Sequence, residues 1–191
     1  MGSSEGERPP ALVLASTSPQ RRAILEQLGL PFEVVAPRYE ERSDDPVDHA
    51  AGKARSVDGR GWPVLGVDTI VVCDGRTLGK PVDEADAAAM LTGLAGRTHE
   101  VISGLCLRTP EWEELHREVT RVVFRPLTGR DVDAYVAAGE WRDRAGAYAI
   151  QGRGAALVDR VEGDYLNIVG LPAALLVRLL AKRFPGAYGY G

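Results

Sequence analysis

LVLASTSPQRRAILEQLG, residues 12–29, runs from a short apolar stretch through hydroxyl residues into a helix. The apolar run ends at Ala15-Ser16-Thr17, and Ser18-Pro19 then opens the helix. Ser18 suits the N-cap, and Pro19 suits the first helical position, where its missing N–H costs nothing. A strand feeding a helix in this way is the unit from which α/β folds are built. Arg21 and Arg22 stand out, because cations in a first helical turn oppose the helix dipole by a few tenths to about 1 kcal/mol. Free backbone N–H groups, the Ser16 and Ser18 hydroxyls and two guanidinium groups would together make an anion site suited to phosphate. Taken alone, these residues leave a second option open, a helix start carrying solvated arginines.

VLGVDTIVV, residues 64–72, favours the first option. It is a β-branched apolar run of the kind found inside sheets, with one carboxylate, Asp68, in its middle. An ionised carboxylate there is costly unless it is paired or holds a metal. The other option is an edge-strand residue facing water. A turn at residues 73–76 and the stretch TLGKP follow, which puts Lys80 a hairpin away from Asp68. A helix capped by Asp83 comes next.

ASTSPQRR (15–22), LGLPFEV (28–34), GVDTIVV (66–72), LGKPVDEADA (78–87), LAGRTHEVISG (94–104), AGAYAIQG (145–152) and NIVGLP (167–172) occur in that order along the chain. In these blocks the sequence resembles the Maf family of nucleoside triphosphate pyrophosphatases. The resemblance covers nearly everything from Leu12 to about Leu180. It implies hydrolysis of a nucleotide between its α and β phosphates, giving a monophosphate and pyrophosphate with a divalent cation, Mg²⁺ or Mn²⁺.

The composition fits one well-buried domain of 191 residues, 45% hydrophobic and 26% charged. The net charge of −4, from 23 basic and 27 acidic residues, argues against general binding to nucleic acid or anionic membranes. An acidic protein that handles triphosphates must gather its cations locally or recruit metal. Two cysteines, Cys73 and Cys106, cannot make a disulfide framework and read as reduced, buried thiols of a cytoplasmic protein. No stretch approaches the roughly 18 apolar residues of a membrane span. The first ten residues, MGSSEGERPP, lack the apolar core of a signal peptide.

The coarse order is strand (11–15), helix (18–29), strand (32–36), polar segment (37–47), short helix (about 48–57), strand (63–73) and helix (83–95). Two long strands (98–108 and 113–125) then form an antiparallel pair, followed by helix (128–138), an irregular Gly-rich stretch (142–154), strand (155–161) and a helix from Pro172. Alternating elements plus a hairpin indicate an α/β chain with a mixed, highly twisted sheet. The resemblance implies an elongated, two-lobed single domain with a central cleft. The expected division is a disordered arm over residues 1–10, the pyrophosphatase domain over 11–183 and a flexible tail over 184–191. The 37–62 region departs most from the family, because Gly52 lies inside its helix and makes that helix short or frayed.

Carried over by motif position, Ser16, Arg21, Glu41, Lys53, Asp68 and Lys80 form the polar set. Arg21, Lys53 and Lys80 would neutralise charge developing on the phosphates. Glu41 and Asp68 would hold the metal through oxygen, and one of them would activate water. Asp68 is the favoured base, since a carboxylate among apolar neighbours is the more basic. Glu41 is distinguished from Glu40 by alignment alone. Ser18, Gln20, Thr69 and Gln151 complete the expected substrate contacts.

Other patterns carry no chemistry. GRGAAL (152–157) lacks the last glycine of a dinucleotide fingerprint, and no P-loop is present. His99 is a lone histidine in a strand, read as packed or hydrogen-bonded. The serines lack His–Asp partners, and Trp62, Trp112 and Trp141 are too dispersed for a base-stacking platform. The pyrimidine branch of the family carries Arg before the catalytic arginine, Thr after the strand Asp, and Gln in the A-G-x-Y-x-I-Q-G block. Thr69 and Gln151 match that branch, whereas Gln20 does not. The 7-methylguanosine triphosphate branch has Trp at the position of Gln20, which cannot stack on a cationic purine as tryptophan does. The expected substrates are therefore dTTP and UTP, with CTP or modified pyrimidines next. The alternatives are a 7-methylguanosine triphosphate pyrophosphatase and a nucleotide-binding regulator of septum formation. Oligomeric state stays open, a homodimer among the options.

Overall fold

The structure is a computed structural model, and it describes residues 11–40 and 43–190. The expected arm over residues 1–10 and the candidate Glu41 lie outside the described residues.

The elements follow in the order β1 (Leu12–Leu14), α1 (Pro19–Gln27), β2 (Phe32–Val34), α2 (Pro46–Arg55), β3 (Val64–Cys73), β4 (Arg76–Leu78) and α3 (Glu84–Leu94). They continue with β5 (Thr98–Arg108), β6 (Glu113–Phe124), α4 (Gly129–Ala138), 3₁₀ turns over Ala145–Ala147 and Gly152–Leu157, β7 (Val158–Glu162), α5 (Tyr165–Val169) and α6 (Ala173–Arg183). One mixed seven-stranded sheet runs β2-β1-β3-β5-β6-β7, with β4 paired to β3 off that path. β1 is parallel to both β2 and β3, while β4 and β7 pair antiparallel to β3 and β6. The chain is thus the expected α/β protein with a mixed sheet.

Contacts divide the chain into two compact units. Among the described residues, the first comprises those of 11–68, 104–116 and 172–190, and the second comprises 69–103 and 117–171. In the first unit α2 lies on the sheet through Ala50, Ala51 and Ala54, which pack with Val13, Ala15, Val57, Val64 and Cys106. Small residues let the helix come close, and two strand glycines let it come closer. A Cβ on Gly66 of β3 would stand 2.1 Å from the Ala50 carbonyl oxygen, and one on Gly104 of β5 would stand 2.1 Å from that of Pro46. Close helix–strand approach of this kind is a recurrent reason for glycine within a strand. The second unit packs Leu91 and Leu94 of α3 and Tyr135 of α4 with Val101, Val122, Phe124, Trp141 and Tyr148. His99 belongs to this core: its Nε2 pairs with Tyr148 Oη at 2.8 Å, and burial pushes its pKa down to about 4. It is the packed, hydrogen-bonded histidine the sequence suggested.

The helix over Pro46–Arg55 has ten residues, the length expected, but lies two positions nearer the N-terminus. Asp45 caps it by accepting from the Val47 N–H at 2.8 Å, so it starts two residues earlier than periodicity indicated. The strand β4 and the five-residue α5, capped by Asp164, were not anticipated. Both cysteines are free and buried, and burial pushes the Cys106 thiol up to about 12. Although the end of the chain reads as a loose tail, Tyr188 is buried against Phe184. The Tyr190 hydroxyl donates to the Leu28 carbonyl at 3.0 Å. Among the described residues no helix is long and apolar enough to cross a membrane.

Candidate active site

Ser18 occupies the N-cap of α1 with Pro19 at its first turn, as the sequence indicated. Its hydroxyl takes the Arg21 N–H at 3.5 Å and donates to Gln20 Oε1 at 3.1 Å, so the Gln20 amide closes back on the cap. Ser16, buried at the end of β1, accepts from the Ser18 N–H at 3.2 Å and from Arg21 Nη1 at 3.1 Å. The strand end thereby fixes both the helix start and the guanidinium of Arg21. Burial lowers the Arg21 pKa, and the nearby charge of Asp68 opposes that shift. Arg22 behaves differently. Its side chain is 64% exposed and pairs with Glu26 at 2.8 Å one turn along the helix, so it is a solvated arginine and no part of an anion site. Successive helical residues point about 100° apart, and only one of the pair can face Ser16.

Asp68 is 9% exposed, on a strand that lies between β1 and β5. That excludes the edge-strand reading. Its Oδ1 accepts from Lys53 Nζ at 2.5 Å, and its Oδ2 lies 3.3 Å from His49 Nδ1. His49 and Lys53 stand one turn apart on α2, on the face that the glycines of the sheet bring down onto β3. The Asp68 carboxylate is therefore paired and not left alone among the apolar side chains of its strand. Two side chains of α2 hold its carboxylate, with the Arg21 charge nearby. His49 is 6% exposed and its Nε2–H donates to the Ser43 carbonyl at 2.6 Å. Sequence reasoning missed it. The signal was its i,i+4 spacing from Lys53, which gains meaning only once the helix faces Asp68.

The remaining candidates belong to the second unit. The Thr69 hydroxyl pairs with that of Ser103 at 2.8 Å and reaches the Gly170 carbonyl at 3.5 Å. Lys80 follows the β3–β4 hairpin, is 65% exposed, and lies 3.8 Å from Asp143. Gln151 is exposed at the N-cap of the second 3₁₀ turn. Among the described residues no three His, Cys, Asp or Glu side chains gather into a protein-only metal cage.

Arg21 and Lys53 bring a guanidinium and an ammonium towards the Asp68 carboxylate. Cations gathered beside a capped helix N-terminus suit a polyanion.

The chain is similar to known proteins over nearly its whole length. The family model described as Maf-like protein matches residues 11–183. A protein of Symbiobacterium thermophilum named dTTP/UTP pyrophosphatase is 46% identical over 90% of this chain and 93% of its own length. A dTTP/UTP pyrophosphatase of Deinococcus radiodurans is 45% identical over 96% and 98%, and one of Moorella thermoacetica is 49% identical over 89% and 93%. The structure of the Staphylococcus aureus Ham1 protein aligns with a TM-score of 0.55 over 91% of this chain and 99% of that one. At 14% identity it speaks for the fold alone. On the match across residues 11–183 and these relatives, the chain belongs to the Maf family.

Proposed function

We propose that this chain hydrolyses nucleoside triphosphates, dTTP and UTP first among them, to the monophosphate and pyrophosphate by attack of water at the α-phosphate. The observation that carries the reading is the Asp68 carboxylate held by Lys53 and His49 beside Arg21. It occurs in a chain whose relatives over nearly its whole length are named dTTP/UTP pyrophosphatases.

Each group has a role that its setting supports. Arg21, braced by Ser16, offers a fixed guanidinium to phosphate oxygens, and the capped start of α1 adds its dipole. Lys53 neutralises charge that grows on the phosphates during attack. Asp68 orients the water and takes its proton, and a phosphate group that draws Lys53 away from Oδ1 leaves that oxygen able to accept. For Lys80, Thr69 and Gln151 the proposal rests on the resemblance alone.

A divalent cation fits this donor set. Mg²⁺ keeps several waters and uses one or two carboxylates plus substrate phosphates, so it needs no protein-only cage. Asp68 is the described carboxylate that would hold it, with Glu41 as the second by resemblance. When bound, such a cation neutralises and polarises the phosphates.

The test is a screen of the common nucleoside triphosphates for pyrophosphate release with Mg²⁺ or Mn²⁺ and after exhaustive chelation. Equimolar dTMP and pyrophosphate from dTTP, lost on chelation and regained with metal, is the expected result. Absence of pyrophosphate from every triphosphate, or dTDP and inorganic phosphate as products, would overturn the reading.

A further inference from the structure

We infer that His49 is a positioning residue that fixes the plane of the Asp68 carboxylate, with Tyr39 and Gly52 holding its ring in place. The inference rests on the functional reading above and adds residues that the motif comparison did not supply.

The Lys53 contact on Oδ1 ends a long, flexible stem and leaves the carboxylate free to rotate, since the terminal torsion of Asp has a broad, two-fold profile. A partner on Oδ2 removes that freedom. His49 provides it from one turn earlier on α2, its Nδ1–H donating to Oδ2 at 3.3 Å while Nε2–H meets the Ser43 carbonyl, so that the ring carries both protons. The imidazole is in turn fixed from outside the helix. Its Nε2–H donates to the Ser43 carbonyl at 2.6 Å, and the Tyr39 ring packs against it with centroids 6.0 Å apart and planes inclined at 59°.

Tyr39 takes its seat where a side chain at position 52 would be. A Cβ on Gly52 would lie 2.1 Å from Tyr39 Cε2 and 2.4 Å from its Cζ. Glycine inside a helix costs about 1 kcal/mol against alanine, and the space for this ring accounts for it. Gly52, Tyr39, His49 and Asp68 thus form a chain of contacts that ends on the carboxylate. An outer partner of this kind orients the group it touches without meeting substrate.

The test compares kcat and KM for dTTP, the affinity for a non-hydrolysable α,β-imido analogue of dTTP with Mg²⁺, and the thermal midpoint across six variants. His49→Leu, which keeps most of the volume, is expected to lower kcat about tenfold. Its KM and analogue affinity should stay within about twofold, because His49 does not touch substrate and its loss is felt in the attack step. His49→Asn, whose amide can reach Oδ2, should recover most of kcat, whereas His49→Gln, which reaches towards Ser43, should not. Gly52→Ala should lower kcat in the unsubstituted chain but not in a Tyr39→Ala background, the signature of coupled residues.

A wild-type kcat in His49→Leu, equal rates for the Asn and Gln variants, or losses that track the thermal midpoint would each overturn the positioning role. Failure of the unsubstituted chain to release pyrophosphate from any triphosphate would overturn the functional reading instead.

Discussion

Gly66 and Asp68 are alternate residues of β3 and share one face of the strand, so the position that lacks a side chain and the position that carries the carboxylate both meet α2. The glycine admits the helix backbone, with the Ala50 carbonyl in the space of its absent Cβ. The aspartate receives the lysine and histidine that the helix brings. The close approach and the candidate cluster are one arrangement.

Gly66→Ala should therefore act on stability and on chemistry together. Overpacking of this kind costs about 1–3 kcal/mol, and the helix that carries His49 and Lys53 must retreat to relieve it. Thermal unfolding should show the loss, and pyrophosphate release should fall by more than the remaining folded fraction explains. An active, fully stable Gly66→Ala chain would mean that α2 has slack at this contact.

Much of this arrangement was legible in the sequence because its signals are local. Ser18-Pro19 announces a capped helix, and an aspartate inside VLGVDTIVV announces a carboxylate that needs a partner. The partner itself was only half legible. Lys53 came from motif position, while His49 became meaningful once Gly66 and Gly104 had brought α2 onto the sheet. Local pattern also left Gly52 without a reason, since the Tyr39 ring that accounts for it lies thirteen positions away in sequence. Arg22 looked equivalent to Arg21 until the helical rotation turned it to solvent. β4 has three residues and α5 has five, too few to show a periodicity.

Glu114 predicts an acid limb of stability. This buried carboxylate on β6 accepts from His116 at 3.0 Å and Lys182 at 3.1 Å, and it also pairs with Arg183 of α6. The His116 bond first, then those from Lys182 and Arg183, bring its pKa from 4.5 to about 2 against the opposing effect of burial. A lowered folded-state value means that the contribution is fully present above pH 4.5 and is lost as pH falls towards 2. Because Lys182 and His116 are substantially exposed, the tie contributes about 1 kcal/mol. Glu114→Gln should lower the thermal midpoint by about 2–4 °C at pH 7. The gap from wild type should close as the pH is lowered through 4.5 towards 2. A gap that does not change with pH would remove Glu114 as the cause.

Gln20 is where the chain leaves the pyrimidine pattern. Its amide is engaged with the Ser18 hydroxyl, so it offers substrate no charge. Gln20→Arg should raise kcat/KM for dTTP or UTP by about 1–2 kcal/mol of transition-state stabilisation, the worth of one charge-assisted contact. Gln20→Trp should not create strong 7-methylguanosine triphosphate hydrolysis while Gln151 remains. Unchanged kinetics of Gln20→Arg on every pyrimidine triphosphate would show that this position neither reads nor holds substrate.

In the proposed reaction the Asp68 carboxylate, clamped from α2, carries the hydrolysis. Asp68→Asn keeps the shape and removes the charge, so the variant should fold and unfold cooperatively as the wild type does. The decisive measurement is its rate of pyrophosphate release from dTTP at saturating Mg²⁺. A fall of at least about 100-fold is expected, the scale of losing a positioned base. Release at the wild-type rate by a correctly folded Asp68→Asn chain would contradict it.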